Sequence, residues 1–252
     1  MGADFGDFDH DGWLDLYYTT SSFQTDELLQ NNHDGTFSNV TNPAGHGQST
    51  YSFVKWGTSF ADLDNDGWED LPVVNGHLYP EADKFDLGLV YRQRPLIFLN
   101  NRNNTFREAG LALGLAQQWK SRGLAVGDYD NDGRLDLLIN NLDDGPILLH
   151  NEMPRQHWLL VRCVGTRSNR SAVGARLTLQ AGELRQMREI KAGLSYLSSN
   201  DLRQHFGLGT HEKVDSLEIR WPSGLVERLQ DIRADQILTV EEGKLAAASG
   251  GK

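Results

Sequence analysis

The chain has 252 residues, enough to bury the core of one all-β domain or of two smaller ones. Its formal net charge of -11 argues against nucleic acid or an anionic lipid surface as the main partner, since both demand a basic patch. A single cysteine, Cys163, excludes an internal disulfide framework, and no apolar run approaches the roughly 20 residues needed for membrane insertion.

The opening MGADFGDF has neither the basic nor the apolar region of a signal peptide, and Gly6 stands where an N-myristoylation motif carries Ser or Thr. The next stretch, GDFDHDGWLDLYY, crowds Asp7, Asp9, Asp11 and Asp15 into nine residues. Two near-copies follow, ADLDNDGWEDLPV and GDYDNDGRLDLLI. Aligned on the first aspartate, position 1 is Asp7, Asp62 and Asp128, and position 3 is Asp9, Asp64 and Asp130. Position 5 is Asp11, Asp66 and Asp132, and position 9 is Asp15, Asp70 and Asp136. Gly12, Gly67 and Gly133 occupy position 6, where a chain wrapping round an ion must turn sharply. Position 7, which is Trp13, Trp68 and Arg134, would supply a backbone carbonyl. Alternating oxygen donors about a glycine turn suit a hard cation with six to eight oxygen ligands at about 2.3–2.6 Å, so Ca²⁺ is expected rather than Mg²⁺ or zinc. About three ions would offset six of the eleven net negative charges.

These loops begin like an EF-hand, but position 12, where that motif has a bidentate Glu, is Tyr18, Val73 and Ile139. The flanks LDLYYTT, EDLPVV and LDLLI are branched and aromatic, so each loop is expected to join two strands. One isolated Asp-Gly run is equally well a solvated turn, and it is the threefold repetition that favours metal ligation. Position 4 (His10, Asn65, Asn131) is expected to point outward as a spacer.

After each loop comes a second shared phrase, LLQNNHDGTFSNVT, LIFLNNRNNTFREAG and the shortened ILLHNEMP. Asp34-Gly35 and Asn103-Asn104 mark hairpin turns in the first two. Each repeat thus reads as about four short strands, the content of one propeller blade, over about 1–48, 49–115 and 116–153. The longer second repeat contains NGHLYPEADKFDLGLVYRQRP, where His77, Tyr79, Tyr91 and Arg92 form either a ligand patch or plain loop packing, the latter favoured. From 154 to 243 the sequence alternates in strand fashion through HWLLVRCV, GARLTLQAG, LRQMREIKAG, VDSLEIRWPSG, LVERLQDI and ILTVEEG, which suggests a small β-sandwich or barrel. Cys163 is expected as a small buried hydrophobe, His205, Phe206, Arg220 and Trp221 near turns, with Trp221 either an interface residue beside Arg220 or, as favoured, core of the small sandwich, and 244–252 as a flexible tail with nothing to bury.

The motifs FGDFDHDGWLDL, FADLDNDGWEDL and VGDYDNDGRLDL, with SNRSAVGARLTL, REIKAGLSYLSSNDLRQHFGLG and VDSLEIRWPSGLVERLQDI, resemble FG-GAP/VCBS-type repeats followed by an ASPIC/UnbV domain, as in the cartilage acidic protein family. The resemblance implies an all-β chain: part of an integrin α-chain-like β-propeller with calcium loops, then a small β module. It further implies a secreted, periplasmic or cell-surface protein used in adhesion and in protein or carbohydrate contact, with no catalytic residue. Three repeats do not close a propeller of about four to eight blades, so the chain is expected to be the C-terminal part of a longer protein, with further blades as partners. Two other functions stay open: a polysaccharide-active enzyme, for which no GxSxG, HExxH or P-loop motif is present, and a purely structural assembly domain.

Overall fold

The computed structural model describes residues 1–84 and 88–245. The first sheet is an antiparallel meander of β1 (Ala3–Gly6), β2 (Asp15–Tyr18), β3 (Glu27–Asn31) and β4 (Phe37–Asn39) in that spatial order. A single helical turn, α1 (Gly47–Thr50), leads to the second meander, β5 (Lys55–Thr58), β6 (Leu71–Asn75), β7 (Leu96–Asn100) and β8 (Phe106–Glu108). The third has β9 (Ser121–Gly127), β10 (Asp136–Asn141) and β11 (Ile147–Leu149), one strand fewer than its predecessors. Each aspartate loop joins the first strand of its sheet to the second. Pro72 is accommodated inside β6, where it pairs with Ile97.

The inner strand β5 lies between β1 and β9. The approach to β9 is so close that a Cβ on Gly57 would sit 2.7 Å from the Leu124 nitrogen. Alternate residues of the second sheet feed two cores. Leu71, Val73, Leu96 and Phe98 meet Phe8, Tyr17 and Leu28 of the first sheet, whereas Val74, Ile97 and Leu99 meet Leu124, Val126, Leu137 and Ile139 of the third. That two-sided burial explains the unbroken apolar run LIFL. The third sheet buries one face only and leaves Leu138 and Leu148 each 47% exposed on the other.

The remaining strands form a two-sheet sandwich. β12 (His157–Val164) is flanked by β15 (Gln204–Gly209) and, in parallel, by β18 (Gln236–Glu241). Facing them is a four-stranded sheet ordered β14 (Leu184–Glu189), β13 (Arg176–Ala181), β16 (Lys213–Arg220), β17 (Val226–Arg233). Leu159, Val161, Leu177, Leu179, Phe206, Leu217, Ile219 and Trp221 fill the space between, with Cys163 buried among them. The Trp221 indole donates to Glu227 Oε2 at 2.7 Å, so this residue is core.

Two expectations need correction. QHFGLG is a strand, β15, with His205 and Phe206 buried inside it and not near turns; its burial on both sides erased the alternation that marks a half-exposed strand. The tail is not free throughout: Leu245 packs against the sandwich core and donates its N–H to Glu227 Oε1 at 3.2 Å, while 246–252 lie outside the described residues. In the second repeat, His77 and Tyr91 serve packing. His77 N–H reaches Tyr91 O at 2.9 Å and its ring accepts from Tyr79 N–H at 3.1 Å, while Arg92 pairs with Asp144 at 3.0 Å. Residues 85–87 of that loop lie outside the described residues.

Between β14 and β15 the chain crosses the inner strands of all three N-terminal sheets. Ser195 donates its N–H to Ala3 O of β1 at 3.1 Å and accepts from Thr58 N–H of β5 at 3.0 Å through its hydroxyl. Asn200 accepts from Val126 N–H of β9 at 2.9 Å, and Asp201 donates back to Val126 O at 3.0 Å. The sandwich is thereby seated on the end of the sheets where the aspartate loops lie.

Candidate metal centres

Each loop folds on itself by hydrogen bonds that its own sequence dictates. The position 1 carboxylate accepts from the position 6 glycine N–H, at 3.2 Å from Gly12 to Asp7, 2.8 Å from Gly67 to Asp62 and 2.9 Å from Gly133 to Asp128. Each of these glycines has φ near +90°, a conformation that a side chain resists. The position 5 carboxylate accepts from the position 7 N–H at 2.8 Å in Trp13 and Trp68 and 3.0 Å in Arg134. Such an arrangement is an Asx turn, so the loop is a local product of aspartates two residues apart and a glycine.

Carboxylate oxygens of Asp7, Asp9 and Asp15 lie within 4.8 Å of one another, as do those of Asp62, Asp64 and Asp66, and those of Asp128, Asp130 and Asp136. Asp11 and Asp70 fall outside the first two of these triads. A further grouping in the third loop joins Asp130 and Asp132 to His150. The position 1 and position 9 aspartates are buried in all three loops. Burial, with Glu69 adding to it, pushes Asp7 up to about 7, and burial pushes Asp15 up to about 8. Asp62 and Asp70 rise well above the usual carboxylate range, again from burial first and neighbouring aspartates next. Buried like charges of this kind are held at a cost that a bound cation removes, and the all-oxygen donor set fits a hard one. In this sense the residues present fit Ca²⁺.

Two of the three position 4 residues, His10 and Asn65, are not outward spacers, whereas Asn131 is exposed. His10 stacks on Trp68 with ring centroids 3.9 Å apart, and its Nε2 lies 3.1 Å from Gly67 O of the next loop. Asn65 is buried and donates to Gly133 O at 2.9 Å. All three hold positive φ, as Asn and His tolerate better than most residues.

Sequence reasoning passed over two further sets of residues. The position 9 aspartates are aimed by the asparagines of the second shared phrase: Asn31, Asn100 and Asn151 each donate a backbone N–H to Asp15, Asp70 and Asp136 at 2.8 Å. Their side-chain amides donate to Leu14 O, Glu69 O and Leu135 O at 3.0–3.2 Å. Repetition of that asparagine after every loop was the available signal. The second set is basic. His33 Nε2 lies 2.6 Å from Asp11, Arg102 Nε lies 2.6 Å from Asp66, and Arg134 pairs with Asp132 within its own loop. One oxygen of each position 5 carboxylate is thus held by a basic side chain.

Comparison with known proteins agrees with this architecture. The FG-GAP-like repeat model matches residues 7–73 and 84–139, and the ASPIC and UnbV model matches residues 165–247. Cartilage acidic protein 1 of Mus musculus is 29% identical over 88% of this chain, that of Homo sapiens 28% over 88%, and that of Xenopus tropicalis 28% over 89%. The chain spans about a third of the length of these relatives, between 33% and 34%. Its aspartate loops fall in the repeats and its sandwich, apart from β12, in the second match, so the chain carries FG-GAP-like repeats followed by a C-terminal ASPIC/UnbV domain and is similar to the cartilage acidic proteins.

Proposed function

We propose that the chain is a calcium-binding, non-catalytic recognition module in which three ions stiffen the loop end of the sheets against a protein or carbohydrate partner. The single observation that carries this reading is the threefold burial of aspartates on one local scaffold. Repetition of the same site also disfavours catalysis, which needs one asymmetric constellation. We place the module outside the cytoplasm or in the cell envelope. Support comes from the family likeness. Further blades packed on the open faces of the first and third sheets would cover the exposed Leu138 and Leu148.

Calcium at ten times its dissociation constant stabilises a site by about 1.4 kcal/mol, so three sites give roughly 4 kcal/mol. The test is isothermal titration of the chelator-stripped protein with CaCl₂, alongside thermal melts with 2 mM calcium and with chelator. About three ions and a raised Tm are expected, with Asp64→Ala lowering the stoichiometry by one. Unchanged stoichiometry in that variant, or no binding at all, refutes the reading.

A further inference from the structure

At each junction between successive loops, two backbone carbonyls receive side chains from across it. The position 6 carbonyl receives the position 4 side chain of the preceding loop, His10 on Gly67 at 3.1 Å and Asn65 on Gly133 at 2.9 Å. The position 2 carbonyl receives the repeated asparagine of the following sheet, Asn100 on Phe8 at 3.0 Å and Asn151 on Leu63 at 2.7 Å. Loop 1 is therefore tied to loop 2 in both directions, and loop 2 to loop 3. A buried carboxylate strengthens the first tie, for Glu69 of loop 2 accepts the Asp7 N–H at 3.0 Å.

The series ends on the sandwich. Arg203 donates to Asn131 Oδ1 at 2.6 Å, which makes it the receiver of the third position 4 residue, and also to Asp128 O at 2.8 Å. His205 Nε2 lies 3.0 Å from Gly133 O, the same carbonyl that Asn65 reaches. Gln156 donates to Asp64 O at 3.0 Å.

The position 6 carbonyl belongs to the peptide whose N–H is bound by the position 5 aspartate. Holding that carbonyl from the neighbouring loop fixes the peptide plane between a candidate ligand side chain and the position 7 carbonyl. An ordered loop thus presents its position 4 side chain, and the next loop is ordered by receiving it. We propose that the three metal loops form one serial relay: His10 and Asn65 are positioning residues that couple ion binding between successive loops, and Arg203 passes the state of the third loop to the sandwich. This rests on the calcium reading above and goes beyond it. Ions would then load cooperatively, and by linkage each loop gains from its neighbour as much as it gives.

The test uses the whole chain labelled with ¹⁵N-glycine. Amide signals of Gly12, Gly67 and Gly133 report the three loops separately, because each N–H is bound to its own position 1 carboxylate. CaCl₂ is titrated into wild type, His10→Gly and Asn65→Gly, glycine being chosen because both positions have positive φ. In wild type the three signals should move together with a Hill coefficient above 1. Asn65→Gly should move the Gly133 midpoint to about fivefold higher calcium or more, and His10→Gly should do the same to Gly67. The wild-type titration remains decisive should a variant fail to fold. Three independent transitions with Hill coefficients of 1, or midpoints unmoved in both variants, overturn the relay while leaving calcium binding intact. No response of any of the three glycines overturns the calcium reading itself, and the relay with it.

Discussion

Gly207 in β15 lies directly against the second metal loop. A Cβ built there would sit 2.0 Å from Asp62 Oδ2 and 2.5 Å from both Cα and C of Asn65. Its φ is not positive, so alanine meets no local backbone strain and Gly207→Ala tests the close approach alone. Contacts this short require a shift of about 1 Å or more, and two of the three atoms are backbone, which cannot rotate away. Overpacking costs about 1–3 kcal/mol, and a rigid neighbour places this case at the upper end. For a chain of this size about 3 kcal/mol is roughly 6–12 °C in Tm. Because the displaced atoms are a position 1 carboxylate and the position 4 backbone, calcium affinity at loop 2 should fall together with stability. The assay is a thermal melt with and without calcium, paired with a calcium titration. Gly123→Ala is the control, since a Cβ there would meet its nearest atoms at an ordinary 3.5 Å. A Gly207→Ala variant with wild-type Tm and wild-type calcium affinity would refute the seating of the sandwich on the loop.

Arg188 and Glu69 form an ion pair at 3.2 Å, with side chains only 8% and 6% exposed, across the same interface. Arg188→Met should cost about 3–5 kcal/mol in urea unfolding because Glu69 is left charged and buried, and Arg188→Met with Glu69→Gln should recover most of it; a double variant no better than the single one would contradict this. Glu242 is held by the N–H groups of Thr166, Arg167 and Ser168 at 2.7–2.8 Å and by the hydroxyls of Ser168 and Ser223. Burial alone would raise its pKa, but those donors outweigh it and push the carboxyl down to about 2. Since the folded value lies below the unfolded one, the stabilisation is complete above about pH 4.5 and is lost as pH falls toward 2. Melts between pH 2 and 5 should therefore show a steeper acid loss in wild type than in Glu242→Gln, and parallel curves would count against it.

The aspartate loops were legible in the sequence because their geometry is local: donors and acceptors lie within nine residues, and a glycine at position 6 permits the turn. The strands around them were legible for a similar reason, since a buried face imposes alternation. The second sheet, buried on both faces, was still marked by its unbroken apolar run between turn signals. What the sequence could not disclose is where each loop faces. His10 read as a spacer because its partner, Gly67, lies in the next repeat, and only the packing of adjacent sheets brings the two within 3.1 Å. The same holds for Asn31, Asn100 and Asn151, whose repetition was visible but whose hold on the position 9 aspartates is a cross-strand contact. β15 was missed because it is enclosed between β12 and the metal loops, a position that removes the alternation by which a strand is recognised. Local hydrogen-bond chemistry and side-chain periodicity thus determined the loops and most strands, whereas the seating of the sandwich on the loop end depended on contacts between residues far apart in the chain, which only the tertiary structure decides.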